Sequence, residues 1–292
     1  MIRPSARAGG VGVRFDVSVR VGIVQFMKAS ALAVALLVAP IPALAAPASQ
    51  ISGENVVYTL SLSKLHTYAI TGATGRLHLQ IVDGCTGWAS VQSMTLIIRG
   101  AGGYLDKTTH DYTTWESKNG RLFTFTIRGT DGDGKPRIIT SGTATRSSEY
   151  GAGVIKYSVP ANKEVAFPAG TLFPIQHTEA LLEAAQAGKK FISPLLFDGS
   201  STDGAESSFI TILGHQGPQN TPWPALNGYG SAMVNSAFFP RTNADSTPEF
   251  RTAMRYFDNG VATGLMLDFG AFVMSGKVTS LQIPPSACPA AR

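Results

Sequence analysis

Tyr58-Thr59-Leu60-Ser61-Leu62-Ser63 places an apolar side chain at every second position. A period of two sends alternate side chains to opposite faces, so the segment reads as a strand with one buried and one wet face, as in antiparallel sheet. The same phase recurs in three further runs: Leu77, Leu79 and Ile81; Phe123, Phe125 and Ile127; and Ile155, Tyr157 and Val159. Asn119-Gly120, between Trp115-Glu116 and Arg121-Leu122, is the dipeptide of a tight hairpin turn. Asp198-Gly199, Asn227-Gly228 and Asn259-Gly260 punctuate the later runs in the same way. Strands are expected near residues 209–213, 231–239, 250–257, 262–268 and 271–283, giving about a dozen in all.

One segment breaks this period. Pro174 suits a first helical position, Ile175, Leu181, Leu182 and Ala185 form an apolar stripe, and Gly188 stands where a C-terminal cap belongs. Lys189 and Lys190 follow, favourable to the helix dipole. The expected architecture is mainly β: a single many-stranded antiparallel spiral or broken β-barrel, with one amphipathic helix packed against or inside it. No internal repeat or linker divides the chain, so residues 46–292 are read as one domain.

Composition agrees. Of 292 residues, 15% are charged and 31 are glycine, which argues against a helical bundle or a charge-rich disordered chain. The net charge of +5 resides mostly in residues 1–45, where Arg3, Arg7, Arg14, Arg20 and Lys28 face Asp16 alone. The rest is nearly neutral, and nucleic acid is excluded as a default partner. Lys28, the apolar run from Ala29 to Val38, and Ala43-Leu44-Ala45 form a secretory signal, so residues 1–45 are read as a cleaved leader with its true start at Met27. The run is too short to span a bilayer. The mature chain is expected to be soluble and periplasmic, without a transmembrane segment.

Two cysteines, Cys85 and Cys288, are then most simply paired in an oxidising compartment. The rival reading, Cys85 as a nucleophile, lacks any motif supplying a base. Gly-x-Ser-x-Gly and His-Glu-x-x-His do not occur, and His66, His78, His110, His177 and His215 show no metal-ligand spacing. No metal or cofactor is therefore expected. His78 falls in the polar phase of its strand and reads as solvent-facing. His177 reads as a polar group hydrogen-bonding near the helix start. Asp131-Gly132-Asp133-Gly134 resembles the start of a calcium loop, but Lys135 and Gly142 stand where oxygen ligands are needed, so a hairpin turn is the better account.

Taken in order, several short pieces resemble the EipB family of exported cell-envelope-integrity proteins. They are Tyr58-Thr59-Leu60-Ser61-Leu62; Asp83-Gly84-Cys85-Thr86-Gly87-Trp88; Trp115-Glu116-Ser117; Phe173-Pro174 with His177; Phe197-Asp198-Gly199-Ser200; Asn259-Gly260-Val261; and Cys288-Pro289. The resemblance implies a periplasmic β-spiral, a Cys85–Cys288 bridge, an architecture similar to the LolA and LolB half-barrels, and support of envelope integrity without catalysis. It carries over no catalytic residues.

The leading functional expectation is a non-enzymatic module that binds a lipid or hydrophobic peptide in a β-lined cavity. Candidate lining residues are Phe123, Phe125, Ile127, Ile155, Tyr157 and Leu181, which a filled core would use equally well. The alternatives are a scaffold that binds another envelope protein by its surface or sheet edge, and an envelope hydrolase or transferase using Asp111, His177 or Asp198.

Overall fold

The computed structural model describes residues 51–130, 135–239 and 247–288. The expected leader and its start at Met27, and the turn Asp131-Gly132-Asp133-Gly134, lie outside the described residues.

The chain runs through β1 (Glu54–Leu65), β2 (Ile70–Asp83), β3 (Gly87–Gly100), β4 (Leu105–Ser117), β5 (Leu122–Thr130), β6 (Pro136–Arg146), β7 (Gly153–Val159) and β8 (Lys163–Phe167). There follow β9 (Thr171–Leu172), the helix α1 (Pro174–Gln186), β10 (Phe191–Ile192) and β11 (Leu195–Leu196). It ends with β12 (Glu206–Gln216), β13 (Ser231–Phe239), β14 (Phe250–Phe257), β15 (Ala262–Asp268) and β16 (Phe272–Gln282). The protein is thus mainly β, as expected. The described residues hold sixteen strands rather than a dozen, because β9, β10 and β11 are two-residue pieces and β3 and β4 lack a clean apolar alternation.

Hydrogen bonding orders the sheet as β8-β7-β6-β5-β4-β3-β2-β1-β16-β15-β14-β13-β12-β11-β9, with β10 paired to β12. Every pairing is antiparallel except that of β9 with β11. Two meanders therefore meet at a central seam where the first long strand pairs with the last. The free margins are β8 and β9, successive in the chain but not bonded to each other, and this gap makes the barrel a broken one.

The seam is tightly built. Reading across β15, β16, β1, β2 and β3, one register row is Leu265, Gly276, Leu60, Gly75 and Leu96. A Cβ on Gly75 would stand 2.5 Å from the Thr95 carbonyl oxygen and 2.7 Å from Leu96 Cδ2; one on Gly276 would stand 2.9 Å from Leu265 Cβ. Alternating large and absent side chains lets a strongly curved sheet fill its own concave side.

The helix ends as its sequence dictates. Pro174 occupies the first turn, Ile175, Leu181, Leu182 and Ala185 are buried, and Gly188 has φ +71°. The Gly188 amide donates to the Ala185 carbonyl (3.0 Å) and the Lys189 amide to that of Ala184 (2.9 Å), a Schellman stop. Leu181, Leu182, Ala184 and Ala185 pack against Ile210 and Ile212 of β12 and Ala232 and Val234 of β13. The first turn meets strands of the other meander, so α1 lies on the concave face and joins the two halves.

Candidate functional site

The concave side is occupied differently at its two ends. Toward β5–β8 it is solid. Phe123 stacks on Phe173 with ring centroids 5.1 Å apart, and Phe125 meets Phe197 edge-on at 5.3 Å and Tyr157 at 5.7 Å. The segment after Phe197 is held over these rings by hydroxyls: Tyr112 donates to the Asp198 carbonyl, Thr140 to that of Gly199 (2.7 Å) and Tyr157 to that of Ser201 (2.8 Å). Phe123, Phe125, Ile155 and Tyr157 therefore sit in a packed aromatic core. Ile127 is half-buried on the same strand, and Leu181 lies between α1 and the β12–β13 hairpin. None of these six expected lining residues lines the apolar cavity described next. Phe123, Phe125, Ile155 and Tyr157 point inward, and Phe173 and Phe197, from distant segments, pack against them.

The cavity lies toward β1–β4 and β14–β15, with a volume of about 330 Å³. That is the lower part of the roughly 300–1,000 Å³ range of small-molecule sites. Register builds its wall. Tyr58, Leu77 and Met94 form one row across β1, β2 and β3; Leu79, Gln92 and Tyr112 form a second across β2, β3 and β4; Glu54, Ile81, Ser90 and Thr114 form a third across β1 to β4. Met254 and Tyr256 of β14, Leu265 and Leu267 of β15, and Ile175 and Thr178 of α1 close the other side.

One acid interrupts this lining. Glu54 belongs to the inward row Glu54, Val56, Tyr58, Leu60 of β1 and is only 3% exposed. Its Oε2 has no hydrogen-bond partner among the described residues. Burial pushes its carboxyl up from 4.5 to about 8. Tyr58 donates its hydroxyl to the Ala262 carbonyl at 2.8 Å, and burial, with Glu54 and Tyr256 nearby, raises its pKa well above the ordinary value. Burial and then Glu54 push Tyr256 up to about 12, against the pull of a hydrogen bond with Thr178. The sequence reading began β1 at Tyr58. Carrying its alternation two steps back would have placed Glu54 in the buried phase.

A second, polar pocket of about 1,000 Å³ shares Ile51 and Ile175 with the apolar cavity. Its wall includes Cys85 and Cys288, whose Sγ atoms are bonded at 2.11 Å, and Lys118, which pairs with Asp83 at 2.7 Å and lies 4.7 Å from the Trp88 ring. Burial acts to raise the Asp83 carboxyl, but Lys118, the Cys85 amide and Ser286 hold it below its ordinary value.

Between the two pockets stands a structural node. Both Glu116 oxygens accept amides from the first turn of α1, Ile175 at 2.8 Å and Gln176 at 3.0 Å. Burial nonetheless pushes this carboxyl up to about 8. Buried Arg146 donates to the Gly120 carbonyl, to that of Thr171 (2.7 Å) and to Gln176 Oε1 (2.7 Å). These contacts position the helix, and Gln176 Nε2 is left without a hydrogen-bond partner among the described residues.

The residues named for hydrolysis have separate local partners. Asp111 accepts from Ser93 (2.6 Å), His177 Nε2 lies 3.0 Å from the Ser208 hydroxyl, and Asp198 accepts from the Ser200 amide and hydroxyl. Burial pushes His177 down to about 4, as fits a neutral packed ring. His78 is half-buried rather than fully solvent-facing, its Nε2 2.7 Å from Asn55 Oδ1. Among the described residues no group of three or more His, Cys, Asp or Glu is placed to hold a metal ion, and no helix is long and apolar enough to cross a membrane.

The chain is 27% identical over 248 residues to the cell envelope integrity protein EipB of Brucella abortus (strain 2308), covering 82% of this chain and 86% of that protein. Its fold superposes with a TM-score of 0.74 on the crystal structure of a β-barrel-like protein of the domain of unknown function DUF1849 from Brucella abortus. That match is 24% identical and covers 82% of this chain and all of the other. Residues 45–285 match the EipB-like family profile, and the chain therefore belongs to the EipB-like family.

Proposed function

We propose that this protein is an exported, non-enzymatic component of the periplasm that supports envelope integrity by holding a lipid or hydrophobic peptide. The observation that carries the reading is the apolar cavity between β1–β4 and β14–β15, in a molecule whose opposite end is packed solid with aromatic rings. Burying an apolar ligand there stabilises a complex by roughly 25 cal/mol per Å² before association costs. The name of the Brucella relative supports the envelope role.

The test is to export the chain with its own leader, purify it natively and record mass spectra of what co-purifies, then to titrate an uncharged fluorescent apolar probe. Leu79→Trp, which fills the cavity from β2, is expected to abolish probe binding with little change in Tm. Unaltered probe binding by that variant, or no binding by the parent, would overturn the reading.

A scaffolding role is the second reading. Phe191 and Phe209 stack at 5.8 Å on the outer face of the sheet, and both are exposed together with Leu213. Loss of envelope complementation by Phe191→Ser with Phe209→Ser, with probe binding intact, would favour it.

A further inference from the structure

We propose that the cavity selects an apolar molecule ending in a basic amine, with Glu54 as the counter-ion of its ammonium group. The inference rests on the reading of the cavity as a ligand site and names the chemistry of its polar end.

Glu54 occupies an inward position where its row neighbours Val56 and Leu60 are apolar, and nothing among the described residues bonds to its Oε2. A buried carboxyl without a partner is costly, and the cost falls when a cation or donor arrives to pair with it. No Lys, Arg or His lines the cavity among the described residues, so none of these supplies a cation there. An anionic head group would find no cation in the described wall to offset its own burial, and would meet like charge once Glu54 ionises. An ammonium group meets the opposite situation. It has three N–H donors, and the site offers Glu54 Oε2 and the Tyr58 oxygen, whose own proton is committed to Ala262. The Tyr58 and Tyr256 rings in the same wall add faces that attract cations. The titratable groups that interact with Glu54 are Tyr58 of β1 and Tyr256 of β14; Tyr112 of β4 also lines the cavity, with its hydroxyl committed to the Asp198 carbonyl. Leu77, Leu79, Met94, Met254, Leu265 and Leu267 leave an apolar wall for the tail.

The pairing makes no covalent bond. A neutral amine takes the Glu54 proton, or an ammonium ion enters and that proton leaves to solvent; both end in the same ion pair.

The test displaces the uncharged apolar probe from the full mature chain with dodecylamine, dodecanol or dodecanoate, each below its micellar concentration. The amine is expected to bind about tenfold or more tightly than the alcohol, and dodecanoate most weakly. Glu54→Gln, a neutral isostere, is expected to remove the amine's advantage and leave the alcohol unchanged. An amine no tighter than the alcohol, an undiminished amine advantage in Glu54→Gln, or tightest binding by dodecanoate would overturn the amine assignment while the cavity reading stands. If neither the probe nor any of the three binds, the cavity reading falls and the amine assignment with it.

Discussion

Glu54 has a consequence for stability even without a ligand. In the folded chain its carboxyl is held up to about 8 by burial, whereas its ordinary value is 4.5. Between those values the unfolded chain has released this proton and the folded one retains it, so folding stability falls as pH rises from about 4.5 to about 8 and then levels off. Glu116 and Glu206, also raised to about 8 mainly by burial, act in the same direction. Glu54→Gln isolates one contribution. Its urea midpoint is expected to match the parent near pH 4 and to exceed it at pH 9, by up to a few kcal/mol in unfolding free energy. Parallel pH profiles for the two proteins would show that Glu54 ionises freely. Gly75 offers a second residue-scale check. Gly75→Ala forces a Cβ to within 2.5 Å of the Thr95 carbonyl, and a loss of about 1–3 kcal/mol is expected by chemical denaturation.

At the scale of elements, α1 is held at both ends by different means. The C-terminal stop is local, made by Gly188 and the backbone around it. The N-terminal turn depends on Glu116, 59 residues upstream, whose two oxygens take the orphan amides of Ile175 and Gln176. Glu116→Ala leaves both amides buried and unpaired and removes an acid near buried Arg146. A loss of about 2–4 kcal/mol is expected, together with faster amide hydrogen exchange in residues 174–178. Unchanged exchange there would show that apolar packing alone seats the helix.

For the whole molecule, the organising fact is that the first and last long strands pair at the middle of the sheet, so its free margins fall at β8 and β9 in mid-chain. The Cys85–Cys288 bond reinforces that meeting of distant segments, closing a separation of 203 residues. Restricting so long a loop in the unfolded chain is worth roughly 5 kcal/mol in the chain-entropy account. Cys85→Ala or Cys288→Ala is expected to lower Tm by several degrees while apolar probe binding persists at lower temperature. Titration of the unreduced, denatured parent should find close to no free thiol; two per chain would refute the bond.

What could be read from the residues was whatever local periodicity or count determines. Alternation at Tyr58–Leu62 and in the 77–81, 123–127 and 155–159 runs marks strands, Asn119-Gly120 marks a hairpin, and Pro174 with Gly188 bounds the helix, because each depends on side-chain phase or backbone preference within a few residues. The partner of Cys85 was legible by elimination among two cysteines. Strands β3 and β4 escaped notice because their cavity-facing positions, Ser90, Gln92 and Thr114, are polar and hide the apolar phase. Tertiary structure alone decided which inward residues face empty space. Phe123 and Leu79 carry the same alternating signal, but Phe173 and Phe197 arrive from far along the chain to cover the first, whereas among the described residues the second lines a cavity. Burial of an alternating face satisfies the hydrophobic effect whether its neighbour is a ring or a ligand, so the pattern cannot distinguish them; only the packing of distant segments does.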